Sequence, residues 1–189
     1  SQLLGFYLDT NEIRNTLDYR YAKKFLGVDW NNPQNGTRLI ELALINDKLW
    51  LTRHEKIAYE KYTQTVAVDR IIELHRQSKY EFISVDSGYG EVQIELLHQK
   101  MNKSDGDIGH ILNIIDAGKK EKMVIEYENP GGGVRKTKVD VRAKTKLVGL
   151  VTKYLEFMLT IPKDEAETKD GIIKELRNFK RKESLREGG

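Results

Sequence analysis

The apolar positions change period several times along the chain, and each change marks an element. Phe25-Leu-Gly-Val-Asp-Trp30 is a short apolar run of the kind shown by a strand buried on both faces. Asn31 to Thr37, NNPQNGT, is a turn cluster. RLIELALIND (38–47) and KLWLTRHEKI (48–57), joined at Asn46-Asp47, predict two more strands. Three such runs with short turns predict an antiparallel meander. The period then lengthens. Val68, Ile71, Ile72 and His75 fall at i, i+3, i+4 and i+7, which predicts a helix capped by Thr63 or Thr65. EFISVDSG (81–88) returns to strand. GEVQIELLHQKM (90–101) predicts a helix, and so does DGDIGHILNIIDAG (105–118), with Asp107 as N-cap and Gly118 closing it.

KMVIEYEN (122–129), NPGGG and VRKTKVDVRAK (134–144) follow. The second arm alternates cleanly: Lys136, Lys138, Asp140, Arg142 and Lys144 take one face, and Thr137, Val139, Val141 and Ala143 the other. TKLVGLVTKYLEFMLTI predicts a helix stopped by Pro162, and Ile172, Ile173, Leu176 and Phe179 mark a last one. Residues 1–24 show no period and read as a lead-in from something upstream; 25–189 read as one domain. The order of elements predicts an α/β fold with a mixed sheet flanked by helices.

Composition narrows the chemistry. The absence of Cys excludes a disulfide framework, thiol catalysis and zinc–thiolate sites. No apolar run approaches the roughly 20 residues of a membrane span, and the first residues carry no signal-peptide pattern, so an intracellular protein without membrane contact is expected. Neither GxGxxG after a strand nor GxxxxGK[ST] occurs, which removes both common nucleotide signatures. The net charge of +3 decides little, but its distribution does: residues 135–146 hold six cations against one Asp. Arg135, Lys136, Lys138, Arg142, Lys144 and Lys146 are candidate phosphate contacts, as are Lys180, Arg181 and Lys182 in the tail. The same residues would also serve as a solvated sheet face, with Lys136 paired to Glu126 and Lys122 to Asp140 across the hairpin.

Two apolar runs end on a carboxylate, FLGVDWN at Asp29 and FISVDSG at Asp86. If the two strands are adjacent, both carboxylates reach one crevice at the strand carboxyl ends. Like charges so close call for a proton or a cation between them, and oxygen donors without Cys suit Mg2+ or Mn2+. Strand-end Asp residues also cap turns, and Ser87, Gly88 and Gly90 behind Asp86 suit that role equally well. Trp30 reads as core or pocket wall. His54, His75, His98 and His110 are scattered, the last three on helical patterns as packing or surface groups.

GVDWN, the meander, ISVDSGYGEVQIELL, and LVGLVTKYLEFMLTIPKDE followed by IIKELRNFKRKE resemble the nuclease domain of phage large terminases, of the RNase H-like (RuvC-type) fold, over residues 25–182. The resemblance implies an endonuclease that cuts concatemeric double-stranded DNA during genome packaging with two divalent ions. It maps the first catalytic, metal-ligating aspartate onto Asp29 and the second onto Asp86. It places a third acidic ligand at the start of a last helix, expected beyond Gly189; Asp164, Glu165 and Asp170 come too early for it. It also implies an upstream terminase ATPase domain, a small terminase subunit and a portal protein as partners, in the cytoplasm of an infected bacterial host. A non-catalytic DNA- or partner-binding module on the same scaffold is the alternative. An actin-like ATPase fragment, whose sheet also starts strand-Asp-turn, is a further one.

Overall fold

A computed structural model of the chain describes residues 8–32, 36–58, 64–88, 90–104, 109–116, 119–128, 134–142, 158–167 and 171–173. The meander forms as the pattern predicts: β1 (Lys23–Asn32), β2 (Gly36–Ile45) and β3 (Lys48–Ile57) pair antiparallel in sequence order. Asn46 and Asp47 close the β2–β3 turn at φ 50° and 60°. Short polar side chains tolerate that left-handed conformation, and it matches the twist of a two-residue hairpin.

The chain then crosses through α3 (Gln64–Ser78) to β4 (Phe82–Asp86), which lies parallel to β1, with Leu26 beside Ile83 and Val28 beside Val85. Next come α4 (Glu91–Ser104) and β5 (Leu112–Ile115), parallel to β4. A short β8 (Leu159–Thr160) joins the far side of β3 in parallel. The six-stranded order is β5-β4-β1-β2-β3-β8. An antiparallel meander continued on one side by parallel strands is the RNase H-like mixed sheet.

One expected helix is a strand. Leu112–Ile115 pairs with Ile83–Asp86 instead of coiling. A four-residue apolar run carries too little periodicity to separate the two states. The open edge of β4 then decides the matter, with β-branched Ile114 and Ile115 well suited to a ladder. Likewise Leu159–Thr160, expected at the end of a helix, pairs with Leu49 and Trp50. The caps proposed at Thr63, Asp107 and Gly118, the NPGGG turn, residues 143–157 and the last helix beyond Ile173 lie outside the described residues.

The core sits under one face of the sheet. α3 contributes Ala67, Val68, Ile71, Ile72 and Leu74, α4 contributes Ile94, Leu97 and Met101, and the strands contribute Leu26, Val28, Trp30, Leu39, Ile83 and Val85. Within the lead-in segment, residues 8–22 form α1 (Thr10–Arg14) and α2 (Leu17–Tyr21). Ile13 of α1 packs on Ala43, Ile45 and Trp50, which extends the covered face along β2 and β3. Asp164 of α5 (Lys163–Glu167) accepts from the Thr10 backbone N–H at 3.0 Å and from its hydroxyl at 2.6 Å.

Inside this face lies a charge, in step with the inward-facing Leu39 and Ala43 of β2. Glu41 is fully buried. Its carboxylate accepts from the hydroxyls of Tyr19 and Thr52, each at 2.8 Å, and from that of Tyr80. Burial first, and the Glu41 charge after it, push the Tyr80 hydroxyl well above the ordinary tyrosine range. An unfolded tyrosine ionises near pH 10, earlier than the folded one, so the stability linked to Tyr80 is complete below about 10 and is lost as the pH rises beyond it. Tyr80→Phe is expected to flatten the alkaline fall in unfolding free energy, measured by urea titration between about pH 8 and 11.

The second sheet is a hairpin of β6 (Lys120–Glu128) and β7 (Val134–Arg142). Its register sets Lys136 opposite Glu126 and Lys122 opposite Asp140, as expected.

Candidate active site at the strand carboxyl ends

β1 is the switch point of the sheet, with antiparallel β2 on one side and parallel β4 on the other. Strand alternation sends Leu26, Val28 and Trp30 into the core, and Ile83 and Val85 likewise. The opposite phase therefore carries Gly27 and Asp29 on β1 and Ser84 and Asp86 on β4. Val28 lies beside Val85, so one step on brings Asp29 abreast of Asp86 on the other face. Neighbouring strands run about 5 Å apart, so the two residues stand on the same face of the sheet one strand apart. Asp29 is exposed and Asp86 partly so, within reach of a ligand.

The turn after Asp86 is shaped by contact. A methyl group at Gly88 would stand 3.1 Å from Asp86 Oδ2. At Gly90 it would overlap the Trp30 indole and come 2.8 Å from the Asp86 carbonyl oxygen. Trp30, 2% exposed, is thus the buried wall behind the carboxylates, as its pattern suggested. The glycines are explained by this packing. Gly90→Ala is expected to cost about 1–3 kcal/mol of stability through overpacking against Trp30. Thermal unfolding checks this, and an unchanged melting temperature would contradict it.

Arg38 of β2 stands directly opposite Asp29 in the antiparallel ladder and so shares its face. His54 of β3 pairs with Ile40, which puts it diagonally beside Arg38 on that face. The Arg38 Nη1 to His54 Nε2 distance is 3.5 Å, and His54 Nδ1 lies 2.9 Å from Glu165 Oε2. His54 and Glu165 are nearly buried, with 4% and 12% of their side-chain surfaces exposed. None of the three stands out in the sequence as a site residue. The phase of Arg38 relative to Asp29 was the available signal.

Among the described residues, no group of three or more His, Cys, Asp or Glu side chains comes together as an ion site. Two strand-end carboxylates supply hard oxygen donors that fit one Mg2+ or Mn2+ completed by water, and they do not by themselves make up a two-ion set. Asp164 and Glu165 are committed elsewhere, to Thr10 and His54. Arg135, Lys136, Lys138 and Arg142 lie on β7, away from the six-stranded sheet in hydrogen bonding. Lys144, Lys146, Lys180, Arg181 and Lys182 fall outside the described residues.

No protein-family model and no curated relative matches the sequence. Solved structures do align with it. The large terminase of a thermophilic bacteriophage does so at TM-score 0.46 and 15% identity, over 74% of this chain and 28% of that one. The human cytomegalovirus terminase nuclease domain, Mn-soaked and inhibitor-bound, gives 0.42 and 12%, over 84% and 72%. The large terminase nuclease of thermophilic phage G20c gives 0.38 and 15%, over 73% and 87%. The chain spans little more than a quarter of the length of the first of these proteins.

Proposed function

We propose that this chain is a metal-dependent nuclease domain of the large-terminase type, acting on double-stranded DNA. The observation that carries the proposal is the placement of Asp29 and Asp86 abreast on parallel neighbours, at the switch point of the sheet and on its solvent face. Open sheets bind ligands at that position. A rigid strand pair is also what a hard-cation site requires. A bound Mg2+ or Mn2+ would polarise a phosphodiester and lower the pKa of an attacking water. Asp29 and Asp86 would hold it. A second ion would need further acidic ligands beyond those two. Packaging partners and action inside an infected bacterium belong to the same proposal.

DNA contact is assigned to the hairpin. Lys136, Lys138 and Arg142 fall on alternate positions of β7, and the register sets Lys120 opposite Arg142 and Lys122 opposite Asp140. Cations in that phase, Lys120, Lys122, Lys136, Lys138 and Arg142, outnumber Glu126, Glu128 and Asp140, which fits a phosphate backbone. Replacing Lys136, Lys138 and Arg142 together with Gln is expected to weaken duplex binding at all sequences alike and to lower the salt slope by up to about 3. Fluorescence anisotropy across a salt series measures this. An unchanged slope would assign the strand to a different partner.

A second reading is a non-catalytic binding module on the same scaffold: among the described residues no group of three or more His, Cys, Asp or Glu side chains comes together. A plasmid-nicking assay decides between them. Cutting that needs Mn2+ or Mg2+ and ignores ATP supports the nuclease. Binding without cutting supports the module, and ATP dependence would point to an actin-like ATPase.

A further inference from the structure

We propose that Arg38 is an anion-binding residue of the Asp29/Asp86 site, gripping a phosphodiester oxygen of the DNA strand, and that Glu165 and His54 hold it in position. The inference rests on the nuclease reading for the identity of the anion and on geometry for the rest.

Arg38 occupies the cross-strand position beside Asp29, on the same face of the sheet, and is partly exposed. A phosphate bridging to a cation held by Asp29 and Asp86 would place a non-bridging oxygen on that side. A guanidinium is suited to such an oxygen because its fork of N–H donors stays charged at every working pH. An arginine on a strand surface has several rotamers, and binding would have to fix one of them at an entropic cost.

The relay supplies the fixing. Glu165 accepts the backbone N–H of Ile172 at 3.0 Å, which ties its carboxylate to the chain. Facing His54 Nδ1 at 2.9 Å, that carboxylate selects the tautomer with the proton on Nδ1. Nε2 then carries a lone pair and faces Arg38 Nη1 at 3.5 Å. A donor against a lone pair is attractive, whereas the opposite tautomer would set two donors against each other. The order carboxylate, imidazole, guanidinium thus runs from a carboxylate tied to the backbone to the face that carries Asp29. Glu165 and His54 act through Arg38 and are positioning residues.

The test uses the full chain and the variants Arg38→Gln, His54→Leu and His54→Gln. Long-range 15N–1H correlation is expected to show the neutral His54 ring as the Nδ1–H tautomer. Losing one charge-assisted contact should weaken affinity for a labelled duplex in Ca2+ buffer about ten- to a hundredfold in Arg38→Gln and raise KM in step. His54→Leu should show part of that loss. His54→Gln, which keeps an N–H for Glu165 and a carbonyl oxygen for Arg38, should restore most of it. Mn2+ affinity by electron paramagnetic resonance should hold or rise in Arg38→Gln, because a cation beside the carboxylates competes with the metal. Equal duplex affinity in wild type and Arg38→Gln overturns the inference, and so does a neutral His54 ring protonated on Nε2. Neither measurement needs cleavage. If the wild type takes up no Mn2+ and cuts nothing, the nuclease reading fails by itself, and these two results still decide the role of Arg38.

Discussion

Asp29→Asn and Asp86→Asn are each expected to lower Mn2+-dependent nicking by at least about a hundredfold while leaving the fold intact. The size of the loss follows from what an amide lacks. Asn keeps the shape of Asp but not the charge, and hard divalent ions hold their ligands chiefly through charge. Even changes behind a metal ligand cost about 10- to 100-fold in affinity or activity, so loss of a ligand sets a floor near the upper figure. Stability should change little. Asp29 is exposed and Asp86 partly so, and both are held by the β1–β4 ladder, so the variants should stay folded in EDTA. Added Mn2+ should raise the melting temperature of the wild type, since a ligand that binds only the folded state stabilises it, and should raise it less in either variant. Wild-type cutting by either variant would refute the assignment. Equal Mn2+ stabilisation of all three proteins would move the ion elsewhere.

How far this site could be read in advance depended on phase. FLGVDW and FISVD each place the Asp one step after an inward Val, so equal phase on neighbouring parallel strands was enough to bring them together. The hairpin register was legible in its charges, with Lys136 opposite Glu126 and Lys122 opposite Asp140. β5 was not legible, because a four-residue strand owes its state to the free edge beside it rather than to its own pattern. His54 and Glu165 are 111 positions apart, and no local pattern foretells such a contact. A bulge in β3 between the partners of Glu41 and Leu42 further breaks the phase that would tie His54 to the start of its strand. Glu41 did carry a signal. In RLIELALI it falls in step with Leu39, Ala43 and Ile45, all inward-facing, so its carboxylate had to be buried.

Glu41→Ala is expected to be the most damaging single substitution for stability, at about 3–5 kcal/mol, the range for removing one partner of a buried charge pair. The carboxylate lies on β2 opposite Leu26, on the face away from Asp29, and joins β2 to α2, β3 and α3. Tyr19 of α2, Thr52 of β3, Ser78 at the end of α3 and Tyr80 just beyond it all turn hydroxyls onto it, and Arg53 Nε approaches to 3.6 Å. Truncation strands these donors in a space that water does not enter freely, and each orphaned hydroxyl carries its own desolvation cost. Arg53 is cushioned because Glu55 holds its Nη1 at 2.8 Å, which limits the loss. For a chain of this length each kcal/mol shifts the melting temperature by about 2–4 °C, so a fall of roughly 6–20 °C should appear in thermal scans. Glu41→Gln should fall in between, since the amide oxygen still accepts from two hydroxyls while its NH2 group meets donors. Urea unfolding of the three proteins separates these cases. A loss below about 1 kcal/mol in Glu41→Ala, no more than a typical point substitution costs, would mean the cluster is hydrated and does not clamp α2 and α3 to the sheet. The folded fraction of Glu41→Ala should still take up Mn2+, because Asp29 and Asp86 lie on the opposite face of the sheet and are held by the β1–β4 ladder and not by this carboxylate.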